Sequence, residues 1–202
     1  MAKVQTKFVF SKVRVDYPHF LTAYKSDYQD KPKYGCVILI DKQDTEQIKN
    51  LNLFLKQIAQ WAMTEKWNNI KPPTENLNPL KDGDGVKRNG LPYPDTYKGH
   101  YILNCSSLNA PGVIDEYGKR VIDEKKFYRG CVCNLSLEFF AYNKNGNKGI
   151  SSRLVNVMFA GDGERLGGDL SPEDDFASFT KATPPPVDNV VDDFGVVDEL
   201  PF

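Results

Sequence analysis

Residues 127–163 combine aromatic and basic side chains at a spacing that suits an extended polyanion. Six apolar residues recur at every second position from Cys131 to Ala141, which is the period of a half-buried β-strand. The opposite face of that strand is polar but carries two rings, Phe140 and Tyr142, and a basic loop follows it. Rings that stack on bases, beside lysines and arginines that neutralise phosphates, are how proteins hold single-stranded nucleic acid. The alternative, that both rings fill space on the far side of a barrel, stays open here.

A β-hairpin is predicted to position these side chains. Asn145 and Gly146 supply the positive-φ turn that a tight hairpin favours, and residues 150–160 return as a second strand rich in β-branched and aromatic residues. Similar patterns predict further strands at residues 7–15, 33–40 and 98–106. The first of these changes phase once, which indicates a bulge, and a loop with several aromatic residues between Tyr17 and Tyr28 follows it.

One main helix is predicted from about Thr45 to Lys66. Asp44 and Gln47 are suited to cap its first turn, and leucine, isoleucine and alanine residues follow at helical spacing, so one face is expected to pack on the sheet. A long connection rich in proline and glycine, residues 74–97, comes next. Several strands, one helix and long loops predict a mainly β protein with an OB-fold-like, five-stranded barrel.

The charge distribution along the chain points to a polyanionic partner. The formal net charge is −1, but residues 162–202 hold eleven acidic and two basic residues, a balance of −9, and the remainder therefore carries +8. A basic body attached to an acidic end predicts binding of a polyanion and a tail that competes with it. We expect an OB-fold domain that binds single-stranded nucleic acid at residues 1–176, and a disordered acidic tail at residues 177–202.

Cysteine usage and the absence of a targeting segment predict a reduced, cytoplasmic protein. No apolar run approaches the ~20 residues of a membrane span, and the first residues lack the apolar core of a secretory signal. Cys36, Cys105, Cys131 and Cys133 are therefore expected to be buried thiols. The spacing of the last two is a poor match to structural zinc, and no set of nucleophile, base and orienting residue is recognisable. We predict no enzymatic activity, no cofactor and no bound metal.

Several stretches resemble a family of phage-encoded single-stranded DNA-binding proteins with an OB-fold. The matching stretches are residues 97–101, 130–142, 146–149 and 166–168. The resemblance covers most of residues 33–176. It implies sequence-independent binding and protection of single-stranded DNA during phage DNA replication and recombination, in the cytoplasm of an infected bacterial cell.

The acidic end of the chain resembles the tip of bacterial single-stranded DNA-binding proteins, in which a run of acidic residues precedes Ile-Pro-Phe. The residues that match are Asp198, Glu199, Leu200, Pro201 and Phe202. This resemblance implies that the tail recruits replication or recombination proteins.

We predict that DNA contacts come from basic and aromatic residues of the strands and loops. The predicted DNA-binding residues are Lys33, Tyr34, Lys98, Tyr101, Phe127, Tyr128, Arg129, Phe140, Tyr142, Lys144, Lys148 and Arg153. Two other function classes stay open: a metal-dependent nuclease, with Asp82, Asp84 and Glu138 around magnesium, and a phage structural or scaffolding protein. The oligomeric state also stays open, with a homodimer as one candidate.

Overall fold

The fold was obtained as a computed structural model, which describes residues 4–25, 30–87 and 89–167. The predicted domain boundary at residue 176, the predicted disordered tail and its tip lie outside these residues and stay predictions. Among the described residues, no helix combines the length and the hydropathy needed to cross a membrane.

The described part of the chain is mainly β, with one long helix. In chain order its elements are β1 (Lys7–Tyr24), β2 (Lys33–Asp41), α1 (Thr45–Glu65), α2 (Thr74–Leu77), β3 (Lys81–Asp82), β4 (His100–Ser107), β5 (Gly112–Ile114), β6 (Val132–Lys144) and β7 (Asn147–Gly161). Short 3-10 helices lie at Asp95–Tyr97 and Glu124–Lys126. The predicted hairpin is β6 and β7, and its turn places Asn145 at φ 52° and Gly146 at φ 82°.

Five of the strands close into a barrel. Antiparallel ladders join β4 to β2, β2 to β1, β1 to β6 and β6 to β7. One parallel bridge, between Ser106 of β4 and Arg153 of β7, closes the ring. β3 and β5 are short additions to the edges of β4 and β7. This order confirms the predicted OB-fold-like, five-stranded barrel.

The barrel interior is filled by the inward faces of the strands. The alternating residues from Cys131 to Ala141 are between 0% and 2% exposed, which confirms the period predicted for β6. Phe10 and Phe54 pack their rings at 6.5 Å and 5.7 Å from the ring of Phe139. Each fully buried apolar side chain of this size contributes about 1.5–3 kcal/mol, so this face dominates the stability of the hairpin.

Helix α1 covers one end of the barrel. The Asp44 carboxylate accepts a hydrogen bond from the Gln47 backbone N–H at 3.0 Å, and the Gln47 side-chain amide donates back to it at 2.9 Å, so the predicted cap is confirmed. The apolar stripe of the helix is buried. Just after the helix, Trp67 is fully buried and donates its indole N–H to the Tyr142 carbonyl at 2.9 Å. This bond ties the end of the helix to the β6–β7 hairpin.

The prediction that the first strand ends at Val15 is wrong, because β1 continues to Tyr24. Its ladders shift register between Phe10 and Val13 and again after Asp16, so side chains change face along the strand. The first shift is the predicted bulge. The second coincides with Tyr17 at φ 48°, a left-handed backbone conformation that breaks the alternation of an ordinary strand.

Candidate nucleic-acid interface

A concave groove of about 350 Å³ lies where β1, β2 and β4 meet the edge of β7. Four rings and one lysine line it, together with small polar side chains of β4 and β7: Tyr17, His19, Tyr24, Lys33, Tyr34, Asn104, Ser106, Ser151 and Ser152. β2 and β4 are the second and third strands of the barrel. In OB-folds this face and the adjoining loops are where oligonucleotides bind.

The rings contributed by β1 are open to solvent. The exposed fractions of Tyr17 and Tyr24 are 50% and 54%, which is high for aromatic residues within a strand. The rings of His19 and Tyr24 lie nearly parallel, with centroids 4.7 Å apart and planes 13° from each other. Further planar groups can stack on the outer faces of such a ring pair.

A buried carboxylate fixes the position of Tyr17. Asp16 is fully buried. It accepts hydrogen bonds from Arg129 Nε at 2.6 Å, from the Tyr97 hydroxyl at 2.7 Å and from the Tyr17 backbone N–H at 2.9 Å. The Arg129 guanidinium in turn lies 4.2 Å from the centre of the Tyr17 ring. Asp16 therefore holds both the backbone of Tyr17 and the cation that supports its ring.

The ionisation of this cluster follows from its contacts. Burial, and then the hydrogen bond to Asp16, raises the pKa of Tyr97, so its hydroxyl stays a neutral donor. The hydrogen bond to Asp16 raises the pKa of Arg129 as well, which keeps the guanidinium charged. The Arg129 guanidinium already forms an ion pair with Asp16. We therefore interpret Arg129 as a residue that packs against the Tyr17 ring, and not as a ligand of DNA phosphates.

Four of the predicted residues lie in or beside the groove. Lys33 and Tyr34, at the start of β2, are part of its lining. Arg153 lies at the closing bridge of the barrel and forms an ion pair with Glu138. Phe140 is 40% exposed and pairs across the hairpin ladder with Ser151, a groove residue. Its exposure argues against a purely structural role for this ring.

The β6–β7 hairpin carries three more of the predicted residues. Lys144 is exposed next to the turn. Lys148 donates a hydrogen bond from Nζ to the Trp67 carbonyl at 3.1 Å. This bond links the hairpin to the residue that follows α1. Tyr142 is half-buried, and a Cβ at Gly149 would lie 2.6 Å from its hydroxyl. Of the three, only Lys144 is a fully exposed cation.

Of the other five predicted residues, Arg129 lies against the Tyr17 ring, as described above, and four are not brought to the groove. Phe127 is a core residue, 7% exposed, packed edge-on against Phe20 at 5.1 Å, and we do not retain it as a base-stacking residue. Tyr101 lies beneath Lys42 near α1, with 5.1 Å between the ammonium nitrogen and the ring centre.

Lys98 and Tyr128 are engaged in contacts of their own. Lys98 forms an exposed ion pair with Asp95 at 2.7 Å. The Tyr128 hydroxyl donates to Asp162 at 3.0 Å, and Arg165 covers its ring at 4.4 Å. The side chains of both residues therefore interact with neighbouring loop residues and do not line the groove.

Three groove residues, Tyr17, His19 and Tyr24, were not predicted as contacts. The only signal for them in the sequence is the high density of rings between Tyr17 and Tyr28. The register shifts of β1 hide their common face, because the side chains do not alternate regularly.

The candidate nuclease residues do not meet. Asp82 and Asp84 both bind the Lys42 ammonium, each at 2.5 Å, and these hydrogen bonds lower the pKa of both carboxyl groups. Glu138 forms an ion pair with Arg153, which bridges to Ser106 near the end of β4. Asp82 pairs with Tyr101 near the start of β4, so the aspartates and Glu138 lie at opposite ends of this strand. Within the described ranges, no three histidine, cysteine, aspartate or glutamate side chains form a cluster that could hold a metal ion.

The cysteines belong to the barrel interior. All four are buried. Cys36 and Cys105 face each other across β2 and β4, with 3.6 Å between their sulfur atoms, and burial raises the pKa of the Cys36 thiol. Cys131 and Cys133 are 3.9 Å apart at sulfur, on the inner face of the barrel wall. They pack as small apolar side chains.

Comparison with known proteins gives consistent matches. A family model described as the single-stranded DNA-binding protein of Enterobacter phage Enc34 matches residues 6–185. A curated protein of Acyrthosiphon pisum secondary endosymbiont phage 1, named putative protein p50, is 29% identical over 186 residues, covering 87% of this chain and 95% of that protein.

Solved structures of phage proteins share the fold. The Enc34 single-stranded DNA-binding protein in complex with single-stranded DNA aligns with a TM-score of 0.66 and 22% identity, over 80% of this chain and 90% of that one. The single-stranded DNA-binding protein gp2.5 of bacteriophage T7 aligns with a TM-score of 0.53 and 16% identity, over 96% and 100%. At these identities the structures support the fold of the barrel.

Proposed function

Since this chain belongs to the family of the Enterobacter phage Enc34 single-stranded DNA-binding protein, we propose that it binds and protects single-stranded DNA without reading its sequence. It acts during phage DNA replication and recombination, in the cytoplasm of the infected bacterium. Proteins of this family bind DNA and are not enzymes. Binding is therefore stoichiometric, and the DNA leaves the protein chemically unchanged.

The observation that carries this proposal is the open aromatic surface beside Lys33, on the face of the second and third barrel strands. Bases stack on Tyr17 and Tyr24, because every base has a π-face and stacking needs no particular sequence. Lys33 neutralises phosphates at one side of the groove. Phe140 and Lys144 extend the path along the β6–β7 hairpin, past Arg153, whose guanidinium is paired with Glu138.

Salt dependence tests the electrostatic part of this proposal. The affinity for a fluorescent oligothymidine should fall as salt rises, with a slope of log K against log salt of about −0.7 for each neutralised phosphate. Lys33→Ala should reduce the magnitude of that slope by about 0.7. The measurement is fluorescence anisotropy at several salt concentrations.

Lys119→Ala is the matched control, because Lys119 is exposed on the turn that follows β5, away from the groove. This variant should keep the slope of the unmodified protein. An unchanged slope for Lys33→Ala would remove Lys33 from the interface, and a flat salt dependence of the protein itself would overturn the electrostatic groove. Large assemblies that ignore the oligonucleotide would instead favour a structural or scaffolding role.

A second part of the proposal concerns the acidic tail. Asp198 to Phe202 combine two carboxylates with Leu200, Pro201 and Phe202, a sequence suited to anchoring in a basic-rimmed apolar pocket of a replication or recombination protein. We assign DNA binding to residues 1–176 and partner recruitment to residues 177–202. The support for this division is the acidic, proline-rich composition of the tail.

Phe202→Ala should separate recruitment from DNA binding. The variant should bind an oligonucleotide within about twofold of the unmodified protein, because Phe202 carries no side-chain charge, and should lose its partners, because one aromatic anchor can dominate a small interface. Both proteins, loaded with single-stranded DNA, are used to capture proteins from infected-cell extract. The control is Phe194→Ala, which removes a ring from the same tail outside the matching tip. Identical partners for all three proteins would show that the tip is incidental.

A further inference from the structure

Two thiols face each other in the part of the barrel wall that carries the groove. Cys36 of β2 and Cys105 of β4 are directly opposite residues of an antiparallel ladder. Both are free thiols, 5% and 4% exposed, and their sulfur atoms are 3.6 Å apart. The sulfur atoms are therefore in van der Waals contact, and an approach of about 1.5 Å brings them to the bond length of a disulfide.

The backbone at this position suits a disulfide. Opposite residues of an antiparallel ladder have Cα atoms about 4.5–5.5 Å apart, which is within the range of about 4.4–6.8 Å found for disulfides. The ladder pairs β2 with β4 residue for residue from Tyr34 to Asp41, so no register shift disturbs the alignment. Gly35 lets the strands approach closely beside the pair, because a Cβ there would overlap the Cys105 carbonyl oxygen.

The other two cysteines are placed differently. Cys131 and Cys133 are two positions apart along one extended segment, where Cα atoms are about 6.6 Å apart. That separation is close to the upper limit for a disulfide, and the two sulfur atoms are 3.9 Å apart. The backbone geometry therefore distinguishes Cys36 and Cys105 as the pair that oxidation can join.

We propose that Cys36 and Cys105 form a reversible oxidation site, at which hydrogen peroxide converts the two thiols to a disulfide that links β2 to β4. One sulfur attacks the peroxide, the O–O bond breaks, and a sulfenic acid and one water form. The second sulfur then attacks the sulfenic sulfur, so that the S–S bond forms, the S–O bond breaks and a second water leaves. Two electrons pass from the thiols to the peroxide, and both thiol protons end in the waters.

The burial of the pair couples its oxidation to the groove. Burial raises the pKa of the Cys36 thiol, so the reactive thiolate is scarce while the barrel is closed. Oxidation therefore requires a local separation of β2 from β4 that admits the peroxide. Cys36 and Cys105 also belong to the wall of the groove, together with Lys33 and Tyr34. A DNA strand bound to this wall stabilises the closed strands and should slow oxidation, a consequence that rests on the proposed function.

A thiol count tests the oxidation site. Full-length protein is treated with hydrogen peroxide, and its thiols are counted in denaturant. The count should fall from four to two and return to four after dithiothreitol. A non-reducing peptide map should show the peptide of Cys36 joined to the peptide of Cys105 within one molecule.

Single substitutions assign the disulfide. Cys36→Ala and Cys105→Ala should each give no linked peptides. Cys131→Ala is the matched control, because it removes another buried cysteine and should give the same linked pair as the unmodified protein. The map of the unmodified protein decides the pairing even where a variant does not fold.

Four outcomes overturn the proposal. They are four thiols that persist under peroxide, a link between Cys131 and Cys133, a disulfide between two molecules, and a loss of thiols that dithiothreitol does not restore. The last would indicate oxidation beyond the sulfenic acid, which is irreversible.

Oligothymidine tests the coupling to the groove. At a free concentration about ten times its dissociation constant, it should slow disulfide formation about tenfold, because the separated strands no longer bind it. The variant carrying both Tyr17→Ala and Tyr24→Ala should lose most of this protection at the same concentration. Anisotropy of the labelled oligothymidine in the same sample reports whether it is bound. Bound oligothymidine that leaves the oxidation rate unchanged overturns the coupling. Oligothymidine that does not bind overturns the proposed function instead, and the peptide map still decides the oxidation site.

Discussion

Asp16→Ala is expected to lower the free energy of unfolding by about 3 kcal/mol and to weaken binding of single-stranded DNA. The substitution removes a fully buried carboxylate and leaves the Arg129 guanidinium and the Tyr97 hydroxyl without their acceptor. The expected loss is at the low end for breaking a buried ion pair, because the Arg129 side chain is 36% exposed and stays partly hydrated. Urea unfolding followed by tryptophan fluorescence measures it.

Asp95→Asn is the control for this prediction. It removes one partner of the exposed Asp95–Lys98 ion pair, and exposed pairs contribute only about 0–1 kcal/mol. Asp16→Asn separates charge from shape, since the amide can still accept a hydrogen bond but no longer balances Arg129. An Asp16→Ala protein with unchanged stability would mean that the cluster is not a structural element of the fold.

The double substitution Tyr17→Ala with Tyr24→Ala is expected to weaken binding of single-stranded DNA by about 2–6 kcal/mol, at least about 25-fold. Each ring that stacks a base contributes about 1–3 kcal/mol. Both rings are half-exposed on the outer face of β1, so their removal leaves the barrel interior intact. Anisotropy titrations measure the affinity, and urea unfolding confirms that the fold is retained.

Tyr117→Ala is the matched ring control. Tyr117 is 79% exposed on the turn after β5, away from the groove, and its removal should change neither affinity nor stability. Phe127→Ala should lower the free energy of unfolding by about 3–5 kcal/mol, because Phe127 is a buried ring. The Tyr17 and Tyr24 substitutions should instead lower the affinity and leave the stability unchanged. Unchanged affinity after loss of both Tyr17 and Tyr24 would move the DNA path away from β1.

The features that were predictable from sequence are those with local signals. The β6–β7 hairpin follows from strict alternation and from the Asn145–Gly146 turn, and α1 follows from the Asp44–Gln47 cap and its apolar stripe. Each signal lies within a few residues of the element it specifies. The OB-fold-like barrel follows from the number and order of such elements.

The interface was harder to predict because its geometry is non-local. Asp16 and Arg129 are 113 residues apart in sequence and 2.6 Å apart in space, and no spacing rule connects them. Tyr17 and Tyr24 face the groove only because β1 changes register, which periodicity does not reveal. Residue type also says little about burial: Phe127 and Phe140 look alike in the sequence, yet one is in the core and the other is exposed.

The pairing of β1 with β6 has a consequence for how the chain folds during its synthesis. Lys7 is aligned with Glu138, so the first strand completes its second ladder only after most of the chain has been made. At usual elongation rates the ribosome needs on the order of ten seconds to add that length of chain. Until then one edge of β1 is unpaired, so the nascent protein is most exposed to aggregation in this interval. High contact order of this kind also predicts slow folding compared with helical proteins of the same size.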